Sequence, residues 1–373
     1  MPVTGKGLLN AVARTVDEPM SAVVSERRRL TPNVEAEPMS VPDDIRSSNQ
    51  DHVPPRIPRV AIVGTGFVGS TTAYALLLSR TPAEIVLIGR DKRRVDGHVQ
   101  DLRDAEVFTH TTKVVAGEFG DCCEADVVII TAGVSQSGQT SRLHSLNETA
   151  AILKGLVQNV ARYNPHGILL IASNPVDVLT HAAWKWSGLP PNRVIGSGTS
   201  LDTSRFRRRL AAHYGIASNN VHAYVIGEHG ESQVAVLSSA RIAGMPLESF
   251  CRELELPYDE AVLRKIANDT RATGLEIIRA KGATYYGIGT ALARIASAIL
   301  RDEHTVFTVS SLAPESMGLG EVSLSLPSIV TRDGIARVIS IPLNASEREE
   351  LEASAETLKQ YIAALNASDA TLV

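Results

Sequence analysis

A short apolar run, Val60-Ala-Ile-Val63, leads directly into Gly64-Thr-Gly66-Phe67-Val68-Gly69 and then into a stretch of helical character over residues 67–79. No other feature restricts the fold of this chain as tightly. A strand that ends in G-x-G-x-x-G and passes into a helix is the first turn of a dinucleotide-binding βαβ unit. The first glycine permits the tight turn, the second lets the backbone approach a pyrophosphate, and the third lets helix and strand pack closely. The N-terminus of the helix then faces the phosphates. Alone, the motif also fits a glycine-rich turn with no ligand; its place between strand and helix gives it meaning.

The pattern continues downstream. Apolar runs at Glu84–Ile88, 114–115, Val127–Ile130 and Ile168–Ile171 alternate with helical segments, which predicts a parallel sheet covered on both faces. The expected fold class is α/β, a Rossmann-type doubly wound parallel sheet over residues 57–199. Beyond residue 200 the texture shifts. Helical segments at 202–214 and 258–280 enclose shorter β-prone pieces such as 222–226, and another β-prone piece follows at 322–326. The last of these alternates, as an antiparallel strand with one wet face does. We therefore expect a second, α+β domain over 200–367. Its tail reads as a helix with Ser346 and Glu349 as a capping box and Leu351, Ala355, Leu358, Ile362 and Leu365 as one apolar stripe.

The 373 residues suffice for two domains, and an apolar fraction of 44% is that of a globular chain. A net charge of -4 argues against nucleic-acid binding. Cys122, Cys123 and Cys251 form neither a disulfide framework nor a metal spacing, which points to a reducing cytoplasm and to no bound metal. No apolar run reaches the roughly 18 to 20 residues of a membrane helix. Residues 1–56 carry Pro, Ser, Glu and Arg without sustained periodicity, so a disordered extension is expected there. Its interspersed acids fit poorly with an organellar leader, and residues 8–13 are too short and polar for a secretory one.

Two further sites can be read from residue chemistry. An acid is expected about 20 residues after the fingerprint, at the end of the second strand, to bind the ribose hydroxyls. That place holds Gly89, followed by Arg90. Glycine removes the charge that would repel a 2′-phosphate and Arg90 would attract one, so tolerance of NADP is one reading; the other is that Asp91 or the backbone serves the ribose. The second site is Gly227-Glu-His229-Gly-Glu231-Ser, where a glycine-flanked turn presents a histidine able to donate a proton to a carbonyl oxygen. Asp202 is a candidate to orient it. Arg205, three residues on in the same helix, carries the planar fork suited to a carboxylate. Taken singly, these are also the ordinary residues of a surface loop and a helix N-terminus.

Taken together they are not ordinary. From about residue 59 to 365 the chain resembles the lactate and malate dehydrogenase family. The match runs through the fingerprint, Thr131-Ala132-Gly133, Ser173-Asn174-Pro-Val-Asp177, Gly196-Ser-Gly-Thr199, the Asp202-x-x-Arg205 pair and Gly-Glu-His-Gly, in family order. The resemblance implies an NAD-dependent oxidoreductase that moves a hydride between the cofactor and pyruvate or (S)-lactate, the last step of lactate fermentation. It places Gly64, Gly66, Phe67, Val68, Gly69, Gly89, Arg90, Thr131, Ala132, Gly133 and Asn174 at the cofactor. His229 would protonate the substrate oxygen, Asp202 would hold the imidazole, and Arg205 would clamp the carboxylate. Asn174 and Thr284 would line the pocket. Arg142 would polarise the carbonyl from a loop that closes over the cofactor.

The same loop bears on specificity. Family members acting on lactate carry Gln where those acting on malate carry Arg, and Gln136 stands six residues before Arg142. Oxaloacetate has a second carboxylate that calls for a cation, whereas Gln offers only a neutral amide. Ser137-Gly138 departs from the family's usual Lys-Pro, so Gln139 competes for the role; Glu231 stands where Asp is commoner. The resemblance further implies a homo-oligomer, a dimer or tetramer. It also suggests an allosteric fructose 1,6-bisphosphate site at Arg207 and His222, against which a solvated helix face and a strand cap are the plain readings. The competing functions are malate or another 2-hydroxy acid dehydrogenase, and a non-catalytic dinucleotide-binding protein.

Overall fold

A computed structural model describes residues 56–79, 81, 83–109, 112–133 and 142–370, apart from the side chains of 142–145, 369 and 370. The chain divides into two units, residues 1–55 and Arg56–Val373, and everything described belongs to the second. The expected extension, bar Arg56, lies outside the described residues. Arg56 itself donates to the Glu124 carbonyl at 2.6 Å and pairs with Asp126.

The first half alternates strand and helix: β1 (Arg59–Val63), α1 (Phe67–Leu78), β2 (Glu84–Ile88), α2 (Lys92–Glu106), β3 (Lys113–Ala116), β4 (Val127–Ile130), α3 (Arg142–Tyr163), β5 (Ile168–Ile171), α4 (Val176–Ser187) and β6 (Val194–Gly196). The second half follows with α5 (Ser200–Tyr214), β7 (Val221–Ile226), β8 (Val234–Ile242), β9 (Met245–Pro246), α6 (Leu247–Glu253), α7 (Glu260–Lys281) and α8 (Tyr286–Leu300). It closes with β10 (Thr305–Leu312), β11 (Ser323–Thr331), β12 (Gly334–Val338) and α9 (Ala345–Ala370).

Strands β6-β5-β4-β1-β2-β3 lie side by side and parallel, with the order reversing at β1. This is the doubly wound sheet the alternation predicts. Its two faces are readable residue by residue. Ala61, Val63, Val128, Ile130, Leu169 and Ile171 join α3, α4 and α9 in one core. Val60, Ile62, Val127, Ile129, Ile168 and Leu170 join α1, α2 and α8 in the other. A strand covered on both sides has no polar face to show, which is why these segments read as continuous apolar runs. Each fully buried aliphatic side chain contributes about 1.5–3 kcal/mol by leaving water.

Two local expectations need correcting. β11 is antiparallel to β10 and β12, but it has no wet face: Ser323, Leu324, Ser325 and Leu326 are all buried. Through β10, which meets β6 at Ser310 and Gly196, these strands extend the parallel sheet itself. Serines therefore fill interior positions that the alternation assigns to solvent. The cap of α9 also lies two residues earlier than expected. Asn344 and Glu347 exchange the bonds of the capping box, Glu347 N to Asn344 Oδ1 at 2.8 Å and Asn344 N to Glu347 Oε2 at 3.0 Å. The stripe Leu351, Ala355, Leu358, Ile362 and Leu365 is buried as expected. A third core, of α5, β7, β8, α6 and α7, surrounds Phe206. Among the described residues no helix is long and apolar enough to cross a membrane.

Candidate active site

The fingerprint is built as its chemistry requires. Gly64 has φ of +109°, and a Cβ there would lie 2.8 Å from Ala132 N and Thr131 Oγ1. A Cβ on Gly69 would lie 1.8 Å from the Gly64 carbonyl oxygen, so α1 packs against the turn only because residue 69 has no side chain. Gly66 differs: a Cβ there would meet nothing within 4 Å. Gly66 is also the N-cap of α1, and no side chain caps that helix. The first amides of α1, including those of Phe67 and Val68, are thus left for an anion approaching from the open side. This end of the helix fits the pyrophosphate of a dinucleotide.

The other cofactor candidates gather at the carboxyl ends of neighbouring strands, where ligands of such sheets bind. Thr131 donates to the Gly64 carbonyl at 2.9 Å, tying the end of β4 to the end of β1. Ala132 accepts from Ser173 Oγ just after β5, and the exposed Gly133 and Asn174 flank that bond. Gly89 and Arg90 end β2, both exposed. Phe67 stacks on Tyr285 with ring centroids 5.1 Å apart, which sets the fingerprint beside the half-buried Thr284.

The catalytic candidates converge. His229 Nδ1 lies 2.6 Å from Asp202 Oδ2, and Arg205 Nη1 donates to Asp202 Oδ1 at 3.0 Å. Asp202 is nearly inaccessible, whereas 28% of the His229 side chain remains open to a ligand. Three residues apart on α5, Asp202 and Arg205 are placed to pair; the bond fixes the guanidinium and leaves its other nitrogens for a substrate.

Two elements deliver the histidine. Gly196-Ser-Gly-Thr199 leads into α5, placing Asp202 in its first turn. The turn after β7 is pinned by two bonds between Gly227 and Ser325, both 2.9 Å. Gly227 has φ of +84° and its Cβ would meet Ser354 Oγ at 2.7 Å, so glycine is required there. Glu228 folds back over the turn to accept from Ser232 N at 3.1 Å.

One functional group escaped the sequence reading. Asp177, buried in the first turn of α4, accepts the His229 backbone N–H at 2.7 Å and the Ser325 hydroxyl at 3.2 Å. Ser325 Oγ also accepts from Thr199 N at 3.0 Å, linking the segments that carry Asp177 and Asp202. The available signal was a carboxylate inside the otherwise apolar Val176-Asp-Val-Leu179.

The electrostatics follow from this packing. Burial raises the Asp177 carboxyl to about 6, even though it accepts the His229 N–H. Burial also pulls the His229 imidazole down, but the charge and hydrogen bond of Asp202, helped by Asp177, outweigh it and lift the group to about 9. Burial of Asp202 works against ionisation, yet His229 and Arg205 hold its carboxyl below the usual range. An ionised Asp202 and a protonated His229 therefore coexist at neutral pH.

Residues 58–196 match the NAD-binding domain of lactate/malate dehydrogenase, and residues 199–368 match the α/β C-terminal domain of the same enzymes. The chain belongs to the lactate/malate dehydrogenase family. This makes it an NAD-dependent oxidoreductase. It is 43% identical over 310 residues to an L-lactate dehydrogenase of Acetivibrio thermocellus, covering 83% of this chain and 98% of that one. It is 47% identical over 309 residues to an L-lactate dehydrogenase of Thermus aquaticus, covering 82% and 99%. Among solved structures, a lactate dehydrogenase from a Medee basin deep-sea metagenome library superposes with a TM-score of 0.79 at 40% identity, covering 83% and 99%.

Several expectations for this family member fall elsewhere. Gln136, its competitor Gln139 and the loop they stand on lie outside the described residues, as does the side chain of Arg142, which opens α3. Asp177, three residues after Asn174 in the same motif, accepts the His229 backbone N–H. Arg207 is no solvated face: its Nε donates to the Ala223 carbonyl at 2.9 Å and its guanidinium packs over Tyr224. His222 is exposed on β7, opposite Arg241 of β8.

Proposed function

We propose that the protein is a cytoplasmic L-lactate dehydrogenase, interconverting pyruvate and (S)-lactate. The observation that carries this reading is the single bonded set of His229, Asp202 and Arg205, set in a family whose dinucleotide fingerprint is intact. When bound, the nicotinamide cofactor supplies or accepts the hydride. The chain does the rest. With Nδ1–H donated to Asp202, the imidazolium presents its Nε2–H to the substrate oxygen and gives up that proton as the alkoxide forms. Asp202 stabilises the charged ring beforehand, so little reorganisation is needed at the moment of transfer. Arg205 fixes the substrate carboxylate through the nitrogens that Asp202 does not use. Gln136 and Arg142 take the family's roles, selecting the methyl end and polarising the carbonyl.

NAD is the cofactor of this reading, and tolerance of NADP follows from the lack of a carboxylate at residue 89. A homodimer or tetramer is part of the same proposal. So is activation by fructose 1,6-bisphosphate through Arg207 of α5, which packs over Tyr224, and the exposed His222 of β7; the bisphosphate is expected to lower the pyruvate concentration at half-saturation, and an unchanged curve at low enzyme concentration contradicts this part. The experiment for the whole reading is His229→Asn. It is expected to cut pyruvate turnover by about 10²–10⁴-fold while reduced cofactor still binds. Unchanged turnover overturns the mechanism.

A further inference from the structure

The end of β2 differs from an ordinary NAD site in packing as well as in charge. Gly89 is not held there by its backbone, which lies outside the left-handed region. It is held by its neighbours: a Cβ would sit 2.9 Å from both Thr65 Oγ1 and Val95 Cγ2. Thr65 belongs to the fingerprint itself, so the space an acidic side chain would cross to reach the adenosine ribose is already filled. A side chain at residue 89 requires the Thr65 and Val95 side chains to give way.

The surroundings of that ribose are cationic. Arg90, Lys92, Arg93 and Arg94 follow directly, all exposed, and among the described residues none of their side chains forms an ion pair. They surround the N-terminus of α2, a 15-residue helix whose dipole places partial positive charge at the same point. The one acid of the segment, Asp91, is committed as the N-cap, accepting from Arg94 N at 3.2 Å. Its carboxylate satisfies the third amide of the helix, and those of Lys92 and Arg93, at the first two helical positions, have no partner within the helix. A dinucleotide whose pyrophosphate rests on α1 has its adenosine ribose between Gly89 and this cluster.

We propose that the mouth of β2 is a 2′-phosphate site, with Arg90 and the α2 N-terminus as its main ligands, and that NADP(H) binds this protein at least as tightly as NAD(H). The inference rests on the dinucleotide-binding reading and goes beyond tolerance to an affinity for NADP(H) no lower than that for NAD(H). The test uses the full chain and needs no turnover. Dissociation constants of NADH and NADPH are measured by nicotinamide fluorescence at fixed ionic strength, with 2′,5′-ADP and 5′-AMP as competing fragments. The expected result is an NADPH constant equal to or below that of NADH, and better competition by 2′,5′-ADP than by 5′-AMP. Arg90→Ala is expected to raise the NADPH-to-NADH ratio of constants at least tenfold, the scale of one lost charge-assisted bond. Weaker binding of NADPH than of NADH, or a ratio unmoved by Arg90→Ala, overturns the proposal while leaving the dehydrogenase intact. Failure of both cofactors to bind removes the dinucleotide reading as well.

Discussion

In the proposed mechanism His229 holds a proton for reduction and releases it for oxidation, and two carboxylates set how firmly it does so. Asp202 bonds the ring, and Asp177 acts from beneath, through the backbone N–H and through its charge. With the imidazole lifted to about 9, kcat/KM for pyruvate is expected to stay level through neutral pH and to fall as pH rises through about 9, where the ring loses its proton. Asp177→Asn separates charge from geometry: its amide oxygen still accepts the His229 N–H, while the negative charge is gone. The sign follows directly. Removing a nearby anion destabilises the imidazolium, so the alkaline fall moves to lower pH. Arg205 already opposes the imidazolium, and Glu228 shares its turn, but the substitution alters neither. A pH profile identical to that of the unmodified enzyme shows that Asp177 has no electrostatic influence on the histidine.

At the level of elements, α9 is joined to the sheet of β7 and β8 by one carboxylate as well as by its apolar stripe. Glu347 is buried, and besides capping its own helix it accepts from Leu237 N at 3.0 Å and Ser238 N at 2.9 Å on β8. Glu347→Ala strands these amides along with that of Asn344, each at about 1–3 kcal/mol if water cannot reach it. The expected loss is roughly 3 kcal/mol in urea unfolding; a loss below about 0.5 kcal/mol means the amides find other partners. Sequence periodicity exposes the stripe of α9 but not this anchor, because a glutamate near a helix start reads as surface charge wherever it points. β11 misleads for a related reason. Ser323 and Ser325 look like a wet face, yet they are buried by the helices that cover the extended sheet. Alternation reports polarity and cannot report that a hydroxyl has an interior partner such as Asp177.

Across the whole molecule, the parallel strands and the fingerprint were legible because their constraints are local: an apolar run must be covered, and a Cβ at Gly69 has no room. The order of motifs was enough to place the chain in its family. What could not be read is what depends on distant segments meeting. The joining of β10 to β6, the clasp of Asp177 on the histidine turn and the bond of Asp202 to His229 all link residues far apart in the chain. These links make the carboxyl ends of the strands, the first turn of α5 and the turn after β7 a single site rather than two halves. The account's central claim is that this site reduces pyruvate. The most direct measurement compares initial rates of reduced-nicotinamide oxidation with pyruvate and with oxaloacetate, under matched conditions and with both forms of the cofactor. The account predicts a higher kcat/KM for pyruvate with whichever cofactor is used. A higher value for oxaloacetate, or no turnover of either acid by protein that binds the cofactor, contradicts it.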